Sequence, residues 1–392
     1  MNTHSNARRL VYLDHSATTP VRAEVLAAML PYFADKFGNP SSIHSWGREA
    51  RVAVDAAREQ IASAIGANPQ EIIFTSGGTE ADNLAIRGVA QSLKDKGNHL
   101  ITSQIEHHAV LNTFQDLAKQ GFKVTYVPCD EYGMIDPDDV RKAITDETIL
   151  ISIMHGQNEV GTIQPVEEIG KIARERNIIF HSDAVQSLGK IPVNVDAMGV
   201  DLLTISSHKI YGPKGVGALY VRKGTKIKPQ VTGGIHERRL RAGTENVPGI
   251  VGFGEACRLA QQEMPEESKR LRELRDRLIN GILNTIPDTV LNGHPEKRLP
   301  HNANISVKYV EGEAILLNLD LFGIGASSGS ACTSGSLEPS HVLLAMKIPH
   351  ETAHGSLRMT LGRSNTKEDI DYVLEVLPPI VEKLRAMSVF GN

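Results

Sequence analysis

Ile178-Ile179-Phe180-His181-Ser182-Asp183 and Leu202-Leu203-Thr204-Ile205-Ser206-Ser207-His208-Lys209 are two short apolar runs rich in β-branched residues, each ending in polar side chains. Runs of this length fit strands buried on both faces, as in a parallel sheet covered by helices. Similar runs recur upstream and downstream at 71–75, 100–103, 123–127, 149–154 and 217–222. Helical stretches at 79–96, 109–120, 137–145 and 166–176 lie between several of them, and Pro137 behind Asp136 reads as a first-turn proline after an N-cap. Alternation of this kind predicts an α/β fold with a mainly parallel sheet.

The pattern changes near Val247. A helical stretch at 263–286 carries Leu271, Leu274, Leu278 and Ile282 as one apolar stripe. A strand at 304–308, a helix at 314–319, a Gly/Ser-rich segment, a strand at 356–361 and a last helix at 367–384 complete a smaller α+β unit.

Composition narrows the function classes. The 392 residues hold 42 Lys and Arg against 46 Asp and Glu, a formal charge of −4. There is no net positive field to attract nucleic acid or anionic lipid, so neither is an expected partner. The three cysteines, Cys129, Cys257 and Cys332, form no disulfide framework and lack C-x-x-C spacing, which fits a reducing compartment. No secretory h-region follows Arg8 and Arg9, and no apolar run approaches the roughly 18 residues of a membrane span. A cytoplasmic protein is expected.

In open α/β sheets ligands bind beyond the carboxyl ends of the strands. Those ends are followed here by Ser76-Gly77-Gly78-Thr79, by Glu106-His107-His108, by Gln157-Asn158-Glu159, and by Ser207-His208-Lys209; another strand ends in Asp183, with Gln186 close behind. The glycine pair before a helix suits an anion, although Thr79 and Asp82 also spell a capping box. Neither G-x-x-x-x-G-K-[ST] nor G-x-G-x-x-G is present. Asp183 reads as a partly buried carboxylate that needs a cationic or N–H partner, or else as an N-cap. A lysine, a carboxylate and an anion cradle on one sheet edge are what pyridoxal phosphate requires. Cys332 lies among small residues, so its thiol is the nucleophile candidate, whereas Cys129 and Cys257 read as inert small hydrophobes. The segment Gly325-Ala326-Ser327-Ser328-Gly329 also fits the G-x-S-x-G elbow of serine hydrolases, with Ser327 as nucleophile, but the strand, helix and later triad residues that elbow needs are not evident.

The segment 206–215, Ser-Ser-His-Lys-Ile-Tyr-Gly-Pro-Lys-Gly, resembles the pyridoxal-lysine segment of cysteine desulfurases of the NifS/IscS type, within the class V aminotransferases. So do Tyr12-Leu13-Asp14-His15-Ser16-Ala17-Thr18-Thr19-Pro20, Phe74-Thr75-Ser76-Gly77-Gly78-Thr79-Glu80, Met154-His155-Gly156-Gln157-Asn158-Glu159, Arg241-Ala242-Gly243-Thr244 and Ser328-Gly329-Ser330-Ala331-Cys332, in order along nearly the whole chain. The resemblance implies the pyridoxal-phosphate transferase fold type I. A large domain at 16–262 would hold a mainly parallel seven-stranded sheet. Residues 1–15 and 263–392 would form a small α+β domain carrying the cysteine loop.

The same resemblance implies residue roles. Lys209 would hold pyridoxal 5'-phosphate as a Schiff base and Asp183 would pair with the ring nitrogen. Asn158 and Gln186 would contact the ring oxygen. Gly78, Thr79, Ser206 and His208 would hold the phosphate, with Ser207 in the same segment where many relatives have glycine. Thr244 would reach that phosphate from the partner of a homodimer. His107 would stack on the ring and move protons. Arg358, with Asn158, would bind the substrate carboxylate. Cys332 would take sulfur from L-cysteine as a persulfide, leaving L-alanine, and pass it to an iron–sulfur scaffold protein or another acceptor. The same thiol is the candidate for a transient iron–sulfur cluster ligand. A selenocysteine lyase or an aminotransferase is the runner-up, and an aminotransferase has no use for Cys332.

Overall fold

The computed structural model describes residues 9–328 and 339–387. Its first strand is the two-residue β1 (Val11–Tyr12). Seven strands then build one sheet: β2 (Ile72–Thr75), β3 (His99–Ser103), β4 (Lys123–Val127), β5 (Thr148–Ser152), β6 (Ile179–Asp183), β7 (Leu202–Ser206) and β8 (Gly217–Val221). Their spatial order is β2-β8-β7-β6-β5-β3-β4. From β7 to β4 all neighbours are parallel, whereas β8 runs antiparallel to both β2 and β7. The exception has a local cause. Only residues 207–216 join β7 to β8, and a parallel crossover needs a dozen or more.

Both faces of the sheet are covered. Along β2, Ile72 and Phe74 enter one apolar cluster and Ile73 the other; along β8, Ala218 and Tyr220 oppose Leu219 and Val221. This two-sided burial is why the strands read as continuous apolar runs. Edge strand β4 is the exception, with Lys123 exposed and only Val127 buried. Gly217 at the start of β8 pairs with both Thr75 and Ser206. A Cβ there would stand 2.8 Å from the Gly77 backbone and from the Ile205 carbonyl, so only glycine lets these strand ends approach.

The second unit contains β9 (Thr289–Leu291), β10 (Asn302–Val307), the short β11 (Ile324–Gly325) and β12 (Ser356–Thr360). Strands β12, β10 and β9 form an antiparallel sheet, and β11 pairs in parallel with β1. A third apolar cluster gathers Val11 and Leu13 with the stripe Leu271, Leu274, Leu278 and Ile282. Each such side chain, fully buried, contributes about 1.5–3 kcal/mol.

Two helices depart from the sequence reading. The helix expected at 263–286 begins at Val247 and runs to Thr285, straight through Pro265. Its first half packs on the helix Ser45–Ile65 through small residues, and Gly249, Gly252 and Gly254 interrupt any apolar stripe there. Ser45–Ile65 itself, 21 residues long, received no assignment. Three of its seven buried residues are alanine (Ala50, Ala57, Ala62) and one is Gly47, which leaves a weak periodic signal. Further along the chain, Val342, Leu343, Met346 and Ala353 join the cluster under the large sheet rather than the third one.

Candidate active site

The carboxyl ends of β2, β3, β5, β6 and β7 share one edge of the sheet, because all five run in the same direction. A cavity of about 350 Å3 opens along this edge. It is lined by Gly78, Thr79, His107, Asn158, Asp183, Gln186, Ser206, His208, Lys209 and Arg358, ten of the residues expected from sequence.

The loop after β2 leads into the helix Gly78–Leu93. Gly77, its N-cap, has φ 155° and ψ −177°, a conformation essentially limited to glycine. The first-turn N–H groups therefore face the cavity rim without intrahelical acceptors, as at any helix start. The capping box read from Thr79 and Asp82 does not form. The helix starts one residue before Thr79, which turns Asp82 into the interior, 3.6 Å from the His181 ring and with no hydrogen bond on Oδ1. Burial, then the nearby Asp183 carboxylate, raises the Asp82 carboxyl well above its usual range.

Asp183 accepts a 2.8 Å hydrogen bond from the Val185 N–H. Its carboxyl is also raised by burial, against the pull of that N–H and of the Lys209 charge. The N-cap alternative fails, since no helix follows it directly. Lys209 lies in the 3-10 turn Ser207–Lys209 just after β7, and its Nζ donates to the carbonyls of Ser16 (2.6 Å) and Ala17 (2.7 Å). Gln186 Nε2 donates to the same Ser16 carbonyl at 2.9 Å. His208 Nδ1 meets Thr18 Oγ1 at 3.1 Å. The segment 14–19 thus forms a wall of the site, a role its sequence alone did not reveal.

His107 caps the helix His108–Lys119, its Nδ1 accepting from the Ala109 N–H at 3.1 Å. The neutral ring therefore carries its proton on Nε2. Burial, then the charge of Lys209, holds it down to about 4, so it is an uncharged imidazole at neutral pH. Its neighbour His108 is half-buried and packs on the ring of His341, 4.7 Å away. Arg358, on β12, is 3% exposed; Nη2 pairs with Asp14 Oδ1 at 2.9 Å and Nη1 donates to the Asn158 carbonyl at 3.1 Å. Its Nε and Asn158 Oδ1 have no hydrogen-bond partner.

Three expected residues stand elsewhere. Ser207 does not line the cavity: it is fully buried and its hydroxyl packs against Gly212. Thr244 is exposed, off the cavity wall of its own chain. Cys332 lies outside the described residues. The other two thiols are buried, and desolvation pushes Cys129 up to about 11 and raises Cys257 further, which leaves both protonated and unreactive. Ser327, the rival nucleophile, is 5% exposed and its backbone bridges Arg358.

Sequence reasoning also missed Glu106 and Glu159. Glu106 Oε1 accepts from Ser103 Oγ (2.7 Å) and the Met154 N–H (2.9 Å), while Oε2 has no partner; burial pushes it up to about 8. Glu159 accepts from Ser340 Oγ, and burial pushes it up to about 7. Both sit in the motifs quoted above, so their positions were visible but not their burial. Among the described residues no group of three or more His, Cys, Asp or Glu could hold a metal ion, and no helix is long and apolar enough to cross a membrane.

The donor set fits pyridoxal phosphate. A primary amine and a buried carboxylate share the cavity with a glycine-opened helix start, and the hydroxyl of Ser206 on the same wall lacks a partner. Residues 11–373 match the family described as aminotransferase class-V. A relative named cysteine desulfurase IscS, from Dictyoglomus turgidum, is 60% identical over 98% of this chain and 97% of its own length. A solved "NifS-like protein" superimposes with a TM-score of 0.91 at 39% identity, covering 96% of this chain and 100% of that one. Another, described as "SspA in complex with cysteine", gives 0.80 at 40% identity over 90% of this chain and 98% of its own. The chain belongs to the class V aminotransferase family, and within it to the cysteine desulfurases of the NifS/IscS type.

Proposed function

We propose that this chain is a pyridoxal-phosphate-dependent cysteine desulfurase that takes sulfur from L-cysteine, releases L-alanine and holds the sulfur as a persulfide on Cys332. The observation that carries the reading is the cavity itself, where Lys209, Asp183, His107 and Arg358 converge from β7, β6, the β3 end and β12. Lys209 would bond the cofactor aldehyde, Asp183 would face the ring nitrogen, and Gly78, Thr79, Ser206 and His208 would hold the phosphate. When bound, pyridoxal phosphate supplies an electron sink for the bonds around the substrate Cα.

The protein residues then divide the work. Arg358 takes the substrate carboxylate with the free edge of its guanidinium, beside Asn158. Lys209 removes and returns the Cα proton through its Nζ, and His107, neutral with its proton on Nε2, exchanges protons with the reacting groups. Cys332 thiolate attacks the substrate sulfur; an S–S bond forms as the substrate C–S bond breaks, and the carbon fragment leaves as alanine once protonated.

Several finer readings belong with it. Leu26, Leu30, Phe33, Phe37, Ile43 and Trp46 are 47–90% exposed along one stretch of chain. An apolar surface of that extent is best explained by a second copy of the chain, which would bring the exposed Thr244 to the neighbouring site. The separate apolar clusters favour a division into 16–262 and 1–15 with 263–392, helices near 342–353 being the part of the second unit that reaches into the first core. The persulfide would pass to an iron–sulfur scaffold protein or another sulfur acceptor in the cytoplasm.

The test is Cys332→Ser. The variant should keep the cofactor absorbance and change it on adding L-cysteine, since Lys209, Asp183 and Arg358 are intact, yet release no alanine. A serine hydroxyl stays protonated at neutral pH and cannot replace the thiolate. Alanine release at the parental rate would overturn the mechanism.

A further inference from the structure

Lys190 is 6% exposed, an unusual place for an ammonium group. Its Nζ donates to the backbone carbonyl of Lys209 at 2.8 Å and lies 5.6 Å from the centroid of the Tyr211 ring. Its own carbonyl accepts from Ser268 Oγ, which ties it to the long helix Val247–Thr285. Among the described residues no carboxylate comes within 4.0 Å of Nζ. Glu267 faces it, but both its oxygens are taken by Arg270, at 2.8 Å each. Glu263, which borders the same small cavity, is paired to Arg22 and Arg363. On the side of segment 14–19 stands His15, and beyond it His301; neither His15 nitrogen has a hydrogen-bond partner, and His301 Nδ1 has none. The Lys190 charge adds to burial in holding both rings uncharged.

A buried ammonium with one carbonyl and an aromatic face is costly if it serves stability alone. Its single strong hydrogen bond goes to the residue whose other end lies in the reaction cavity. We propose that Lys190 is a positioning residue for Lys209, fixing the Lys209 carbonyl and supplying a positive charge that favours the uncharged state of the Lys209 nitrogen. The proposal rests on Lys209 being the cofactor lysine. Burial, opposed by the charge of Glu267 and aided by that of Lys209, holds Lys190 down to about 8, so it is charged through the neutral range. Around the Lys209 nitrogen, His107 and His208 are neutral and Asp183 supplies the opposing charge. Arg358 lines the same cavity, and Lys190 adds a second positive charge from the far side.

The absorbance of bound pyridoxal phosphate changes as the Lys209 nitrogen gains a proton, and the pH midpoint of that change is measurable without turnover. The Lys190 ammonium lies 2.8 Å from the Lys209 carbonyl, and as a general magnitude a unit charge about 8 Å from a titrating nitrogen, at an effective dielectric of about 20, moves its midpoint by about one to two pH units. Lys190→Met, which removes charge and donor, and Lys190→Gln, which keeps an amide donor, should both raise the midpoint by about that much. Lys190→Arg should stay within a few tenths of the parent. An unchanged midpoint in either neutral variant overturns the proposal, and so does an Arg variant displaced as far as the Met one, because charge would then not be the cause. Borohydride reduction and peptide mapping of the same samples separate the two layers of argument: label on Lys209 with an unchanged midpoint refutes only the role of Lys190, whereas label on another lysine refutes the cofactor assignment.

Discussion

Glu106→Gln probes a buried carboxyl beside the site. Glu106 is completely buried, its Oε1 held by Ser103 and Met154 and its Oε2 without a partner. Burial pushes it from 4.5 up to about 8. A carboxyl raised in this way stabilises the fold fully below its unfolded value, and that contribution is lost as pH rises through the folded one. The loss is about 1.4 kcal/mol per pH unit, or ~5 kcal/mol across the window from 4.5 to about 8. Glutamine can keep the accepting oxygen but never ionises. Its extra N–H, placed where Oε2 had no partner, adds a constant offset of about 1–3 kcal/mol that does not vary with pH. Urea unfolding of both apoproteins at pH 5, 6, 7 and 8 should therefore show the variant gaining on the parent by about 4 kcal/mol across the series. The offset sets the starting gap and the slope carries the result. Two stability curves that stay parallel to within about 1 kcal/mol would refute the reasoning, because Glu106 would then be ionised inside the fold or hydrated there.

Arg358→Leu should raise the KM for L-cysteine by about 10- to 100-fold, the loss of charge-assisted hydrogen bonds to a carboxylate. Steady-state kinetics check this, and a fall in kcat with KM unmoved would remove Arg358 from the carboxylate site. Mixing Lys209→Ala with Thr244→Ala should regenerate activity, because a hybrid dimer has one site with both residues intact. No recovery despite demonstrated subunit exchange would place Thr244 outside a shared site.

The strand-end residues were legible because each follows a buried apolar run, and such runs are hard to mistake when both sheet faces are covered. Asp183, Lys209, His107 and the Gly77–Gly78 loop were located in this way before any contact was known, and ten expected residues line one cavity. What stayed hidden depended on long-range placement. Ser207 neighbours two cavity residues in sequence, yet the 3-10 turn points it at Gly212, and no local pattern tells one serine from the other. Segment 14–19 meets Lys209 through the Ser16 and Ala17 carbonyls, which any sequence possesses, and its side-chain contacts, Asp14 to Arg358 and Thr18 to His208, join residues far apart in the chain. Lys190 follows no apolar run and stands in no motif, and only burial under Lys209 gives it meaning. The Ser45–Ile65 helix was lost to alanine, which packs well and signals weakly.

The antiparallel strand β8 has a consequence for how the site comes into being. It inserts between β2 and β7, so Gly217 is the piece that brings Thr75 and Ser206 to either side of one strand. A chain ending at residue 216 would own the phosphate loop, Asp183 and Lys209, yet the loop after β2 would have no sheet neighbour to hold it against them. Because β2 reaches the sheet only through β8, closing the sheet joins residues more than 140 positions apart, the kind of high-separation contact that forms slowly. Cofactor capture should therefore be a late event in folding, and the colour of the bound cofactor would report the moment at which the sheet closes.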